Sequence, residues 1–135
     1  MFSVQMTLGS EWMAEQYDHV HHGRSLSLLE HARIELLKCI GCPNHDLLSR
    51  GLVLVITRVD VRYKREVTVG EVTVTCDSGE LNGRTIILQQ RVVNSRGKVA
   101  IEAQVESMFM SAESRRGIDI PEGFAAAFRK WAQRA

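Results

Sequence analysis

The sequence has no apolar run long enough to cross a bilayer, no excess of either charge and no even set of cysteines, and each lack removes a class of protein. A spanning helix needs about 18 or more consecutive apolar residues, and no such run occurs. The opening stretch MFSVQMTLGSEW carries neither a basic leader nor an apolar core of signal-peptide length. The expectation is a soluble, cytoplasmic chain with no membrane insertion. Seventeen Lys and Arg stand against 16 Asp and Glu, so the strong basic excess that nucleic acid or an anionic membrane surface requires is missing. Three cysteines, an odd number, fit a reducing compartment rather than a disulfide framework. Repeats and low-complexity segments are absent too. What remains is one domain over residues 1–135, long enough to bury a core without a metal or a disulfide.

Two cysteines fall in the run CIGCPNH, where Cys39, Cys42 and His45 have the spacing of a zinc or redox site. Cys76 is the distant candidate for a fourth ligand. Against that reading, Cys39 ends a predicted helix, where the negative end of the dipole opposes a thiolate. Structural cysteines and no metal are expected.

Hydrophobic periodicity carries the fold. Phe2, Val4, Met6 and Leu8 alternate with polar residues, as in a half-buried strand. From Arg24 to Ile40, Leu26, Leu29, Ala32, Leu36, Leu37 and Ile40 recur at helical spacing, and Gly41 followed by Pro43 stops the helix. Leu28 and Ile34 widen the apolar face, which suits a helix wrapped by a sheet. After a short helix near Asp46 to Arg50, four segments rich in Val, Ile and Thr follow: Leu52 to Lys64, Glu66 to Cys76, Arg84 to Asn94 and Lys98 to Met110. Gly70, the DSG from Asp77 to Gly79, the Asn82-Gly83 pair and the SRG from Ser95 to Gly97 punctuate them. The four are expected to form an antiparallel meander. A short helix from Pro121 to Gln133, with Phe124, Phe128 and Trp131 on one face, closes the chain.

This order implies an α+β fold in which a five-stranded antiparallel sheet wraps a long central helix. It resembles the hotdog fold. The stretch EQYDHVHHGRSLSLLEHARIELL resembles the signature of the 4-hydroxybenzoyl-CoA thioesterase-like acyl-CoA thioesterases, in which an acid-bearing loop leads into a helix containing Glu-x-Ala-Arg, here Glu30, Ala32 and Arg33. VDVRYKREVTVGEVTVTC and LQQRVVNSRGKVAIEAQVESMFM resemble the family's later strands, and IPEGFAAAF its tail. The likeness covers nearly the whole chain and is closest to the branch associated with bacterial Tol-Pal operons.

The resemblance implies hydrolysis of an acyl-CoA, aromatic or fatty, to a free acid and CoA, with no cofactor beyond the CoA of the substrate. Counting back through the helix, the family's catalytic aspartate falls on Glu15 and its accompanying histidine on His22. Three departures bear on this: glutamate stands at position 15, Asp18 replaces a usual glycine, and Ser25 stands where tyrosine is frequent. Asp18 lies nearer the helix start, so the acid is Glu15 or Asp18, acting as nucleophile or base. The backbone N–H groups of His22 and Gly23, at the positive end of the helix dipole, are the expected oxyanion donors. Phosphates of CoA ask for cations, and Arg62, Lys64 and Arg116 are the candidates. Open sheet edges and the family's habit point to a homodimer or homotetramer. A non-catalytic acyl-CoA-binding protein with a regulatory or scaffolding role is the competing reading, supported by the three departures.

Overall fold

The computed structural model describes residues 1–13 and 22–134, and of His22 the backbone alone. Strand β1 (Phe2–Leu8) leads through a single 3-10 turn (Ser10–Trp12) towards the long helix α1 (His22–Cys39) and the short helix α2 (Asn44–Ser49). Four strands follow, β2 (Leu52–Tyr63), β3 (Gly70–Asn82), β4 (Thr85–Val93) and β5 (Val99–Ser111), and helix α3 (Glu122–Arg134) ends the chain. All five strands form one antiparallel sheet in the order β1-β3-β4-β5-β2. This is the expected α+β architecture.

Alternation decides which face each strand turns to the helix. In β4, Ile86, Leu88, Gln90 and Val92 are buried while their neighbours are half-exposed, as a pleat of period two requires. Ile101, Ala103, Val105, Ser107 and Phe109 of β5 share that inner face. Helix α1 packs there on β1, β3 and β4, with Leu28, Leu29, Ala32 and Leu36 at most 1% exposed. Leu26, expected inward, is 42% exposed, and Ser25 with Leu28 takes its place on the buried stripe. The helix stops as its sequence signals: Gly41 adopts φ +82°, and the Cys42 N–H reaches the Leu37 carbonyl at 2.8 Å while Gly41 N–H reaches that of Lys38 at 3.1 Å.

Two expectations about the sheet need correction. The meander spans β3, β4 and β5 only, because β2 pairs with β5 and lies at the far edge. Residues 64–69 leave the sheet between β2 and β3, too long a passage for a tight hairpin. The second correction concerns the DSG: it lies within β3 rather than ending it. The register shifts between Cys76 and Ser78, so Asp77 is the extra residue of a bulge, and the turn falls after Asn82, with Gly83 at φ +61°. Gly79 remains in the strand because α3 crosses it. A Cβ there would lie 2.4 Å from Phe128 Cζ and 3.0 Å from Trp131 Cζ3. The expected aromatic face of α3 thus closes one end of the core, Phe124 meeting Phe109 edge-on at 4.9 Å between ring centroids.

Helix α1 does not cover the whole inner face. Along edge strand β2, Ile56, Val59 and Tyr63 stay 41%, 40% and 53% exposed on the side that faces the core. An apolar strip is therefore open beside the helix.

Candidate functional site at the start of the central helix

Helix α1 begins at His22 with no acidic side chain in its first turn, so nothing there competes with an anion for the dipole's positive end. The backbone of His22 and Gly23 occupies that turn. Ser25, 1% exposed, sits 3.2 Å through its Oγ from the hydroxyl of Tyr63, the last residue of β2. That contact fixes the helix start to one end of the edge strand. Arg24 adds a second tether, its guanidinium donating to the Glu11 carbonyl. Glu15 and Asp18 lie outside the described residues, as does the side chain of His22.

A second buried polar group ties α1 to the sheet, and nothing in the sequence motifs announced it. Gln90, 1% exposed at an inner position of β4, donates through Nε2 to the carbonyls of Leu29 at 3.0 Å and Thr75 at 3.3 Å. Its Oε1 accepts from Arg33 Nη1 at 3.1 Å. Burial lowers the pKa of Arg33, with Glu30 opposing the effect. The available signal was a glutamine in phase with Ile86, Leu88 and Val92, since a polar side chain on a core face must find partners.

Beyond Arg33 a cavity of about 230 Å³ opens between α1, the inner face of the sheet and α3. Its walls are mainly apolar, including Leu37, Leu54, Ile56, Leu88 and Phe128, and Glu30, Arg33, Asn44 and Ser107 supply its polar groups. Ile56 belongs both to this cavity and to the open strip of β2.

The proposed phosphate-binding cations divide between two ends of the molecule. Arg62 pairs in register with Glu102 on the outer face, and Lys64 forms a 3.0 Å ion pair with Glu102. Both stand beside Tyr63, at the end where α1 starts. Arg116 is elsewhere: its carbonyl accepts the Ser111 N–H at 3.0 Å, and Ser111 lies nine residues along β5 from Glu102, roughly 30 Å at strand rise. Two arginines in its stead approach the Tyr63 end. Arg65 and Arg96 line a groove of about 300 Å³ between residues 64–69 and the β4–β5 turn, and Arg65 Nη1 donates to the Val99 carbonyl at 2.9 Å.

The cysteines do not converge. Cys39 is exposed, Cys42 half-buried and Cys76 buried. Burial raises the Cys42 thiol and pushes that of Cys76 up to about 12, against a partial offset from Arg33. Among the described residues no three His, Cys, Asp or Glu side chains are grouped to hold a metal ion, and no helix is long and apolar enough to cross a membrane.

Residues 11–128 match the model of the thioesterase-like superfamily. The chain belongs to this superfamily. Among curated relatives, the long-chain acyl-CoA thioesterase FadM of Escherichia coli is 24% identical over 108 residues, 76% of this chain and 78% of its own. A Staphylococcus aureus protein solved in complex with CoA superposes with a TM-score of 0.89 at 18% identity, covering 98% of this chain and 84% of its own. The DHNA-CoA thioesterase of the same organism gives 0.88 at 16% identity, over 96% and 89% of the two chains. The hotdog fold of the thioesterase-like superfamily is thus the fold of this chain, while the likeness to the Tol-Pal branch rests on the motif alone.

Proposed function

We propose that this protein hydrolyses the thioester of an acyl-CoA, releasing the free acid and CoA. The observation that carries the proposal is a helix start without acids, tethered by Ser25 and Tyr63 at the mouth of an open apolar strip, in a chain of the thioesterase-like superfamily. The carbonyl oxygen would lie against the His22 and Gly23 N–H groups, which stabilise the negative charge of the tetrahedral intermediate. The carboxylate of Glu15, or of Asp18, either takes a proton from the attacking water or attacks the carbonyl itself to give an anhydride that water then opens. In both cases the C–S bond breaks, the CoA thiolate leaves and takes up a proton, and one water is consumed. These steps ask for no metal and no further cofactor.

For the CoA phosphates, Arg62 and Lys64 are joined by Arg65 and Arg96. Arg116 would contribute from a second copy: if two β2 edges pair antiparallel, the Leu52 end of one chain, which carries Arg116, lies beside the Tyr63 end of the other. A homodimer is therefore part of the proposal, and a homotetramer its larger form. The protein would work in the cytoplasm on a soluble CoA ester.

The test is turnover followed by trapping the released thiol, with Glu15→Gln, Asp18→Asn and His22→Ala. Glu15→Gln should lower kcat by roughly a hundredfold or more while CoA binding persists, Asp18→Asn should do less and His22→Ala fall between. The reverse order of the two acids would move the reacting carboxylate to Asp18. Tight acyl-CoA binding by the wild type without turnover of any ester would replace hydrolysis with the non-catalytic reading.

A further inference from the structure

The side chains along β2 restrict how a second copy can pair with it. The sheet ends in β1 and β2. On β1 the inner side chains Phe2, Val4 and Met6 are packed against the core, whereas β2, 12 residues long against seven, leaves Ile56, Val59 and Tyr63 open. The inner face of β2 carries Leu54, Ile56, Val59, Val61 and Tyr63, and its outer face Val53, Val55, Arg58, Asp60 and Arg62, followed by Lys64. The two series change phase at Thr57, passed over in the register with β5 as the extra residue of a bulge.

Two identical strands paired antiparallel about a two-fold axis obey a simple rule. One residue faces its own copy, and residues equally far before and after it face each other. Inner positions must also face inner positions, since a slip of one residue exchanges the faces. An axis at or before the bulge leaves Tyr63 beyond the partner's strand. After the bulge, charge decides. Arg58, Asp60 or Arg62 on the axis sets like charges directly opposite, which is destabilising. Tyr63 on the axis opposes Arg62 and Lys64 twice. Val61 brings Asp60 to Arg62 twice, but it also opposes Arg58 and Lys64 twice and leaves Ile56 beyond the end of the partner strand. Val59 brings Arg58 to Asp60 twice and opposes no like charges. Past the bulge it seats Ile56 against the partner's Val61 and Tyr63 against the partner's Leu54, so every open apolar residue of the strip is covered. Within one chain these charges are poorly used: Arg58 reaches Glu106 only at 3.8 Å, and among the described residues Asp60 makes no ion pair.

We propose that two copies join through β2 in this one register, Val59 facing the partner's Val59 on the two-fold axis and Arg58 of each copy paired with the partner's Asp60. The register rests on the β2 dimer and adds which residues meet across it. It also reaches the site. The partner's Leu54 lies against Tyr63, whose hydroxyl stands 3.2 Å from Ser25 Oγ at the start of α1, so each copy completes the wall beside the other's helix start.

The experiment is disulfide trapping of Val59→Cys and Val61→Cys in a Cys39→Ser background, which removes the exposed native thiol. Facing Cα atoms of an antiparallel pair lie about 4.5–5.5 Å apart, within disulfide reach, so Val59→Cys should give a covalent dimer on mild oxidation. In this register Val61 and the partner's Val61 are roughly 13 Å apart along the strands, and Val61→Cys should stay unlinked. Sedimentation of charge variants is the second measurement. Asp60→Arg and Arg58→Asp should each weaken the dimer at least roughly tenfold, and the double exchange Arg58→Asp with Asp60→Arg should bind more tightly than either. A Val61→Cys dimer with Val59→Cys unlinked, single charge variants as tight as wild type, or a double exchange no tighter than the singles would overturn the register. A monomeric wild type would overturn it together with the dimer. Turnover is read separately by thiol trapping, so a wrong register leaves hydrolysis standing, and absence of turnover with a Val59→Cys crosslink leaves the register standing.

Discussion

Replacing Gln90 with leucine tests whether one buried amide holds the central helix to the sheet. Leucine preserves most of the volume and adds apolar contact, so the change isolates the hydrogen bonds. Three losses follow. Arg33 loses the Oε1 acceptor at 3.1 Å, a bond from a charged donor worth roughly 1.5–3 kcal/mol. The Leu29 and Thr75 carbonyls lose the Nε2 donor at 3.0 and 3.3 Å, neutral bonds worth roughly 0.5–1.5 kcal/mol each. Leucine's own burial returns part of this, on the order of 1 kcal/mol. The expected net cost is roughly 1.5–5 kcal/mol, read as a fall in urea midpoint at constant m-value.

The double variant Arg33→Met with Gln90→Leu separates the pair from its surroundings. Removing one partner strands the other, whereas removing both leaves apolar groups facing each other, which can be nearly neutral. The double variant should therefore be more stable than the summed single losses predict, by at least about 1 kcal/mol. A Gln90→Leu protein within about 0.5 kcal/mol of wild type, near the limit for a substitution that touches no such feature, would refute the clamp. Strict additivity of the two losses would refute the direct coupling.

Gly79→Ala should cost roughly 1–3 kcal/mol by overpacking, because the new methyl would meet the buried Phe128 ring at 2.4 Å; an unchanged denaturation midpoint would show that α3 shifts freely. In the native protein Cys39 should react with a thiol reagent and Cys76 only on unfolding. Because burial raises the Cys76 pKa from 9.0 to about 12, the folded state holds its proton longer than the unfolded one. Its contribution is then whole below about pH 9 and lost as pH rises towards 12, so Cys76→Ala should flatten that part of the stability curve, and an identical slope would exclude the thiol as its source. Val59→Lys places a charge on the open strip of β2; light scattering should find monomers in place of dimers, and a dimer of undiminished affinity would show that β2 is not the contact.

Local signals foretold the elements that depend on near neighbours. Gly41 and Pro43 end α1 through backbone bonds made within the helix's own last turn, and the alternation of β4 is visible residue by residue. Where the sequence misled, a distant partner decides. The DSG has the composition of a turn, yet Asp77 is held in the strand by Arg91, whose Nε and Nη2 reach its two oxygens at 2.7 and 2.8 Å. Burial raises the Asp77 carboxyl, but hydrogen bonds from Arg91 and Thr75 and the charge of Arg91 outweigh it, so the net shift is downward. Gly79 answers to a ring 49 residues further on. No period within a strand encodes its neighbour, which is why β2 looked like the first strand of the meander. The site divides in the same way: the helix start is legible from a short motif, the Tyr63 hydroxyl and the Gln90 clamp only from the assembled sheet.

The open strip of β2 joins three properties that the sequence presents separately. Water-exposed Ile56, Val59 and Tyr63 are unfavourable in a lone chain, and a strand at the sheet's edge invites a partner. A second copy paired through β2 would satisfy the backbone and roof the apolar strip without filling the cavity, which lies behind Ile56 under α1. Roofing matters for the chemistry because excluding water strengthens the interaction between helix N–H groups and an oxyanion. It would also bring Arg116, at the Leu52 end of one chain, beside the Tyr63 end of the other. Assembly and turnover should therefore fail together when the strip is made polar.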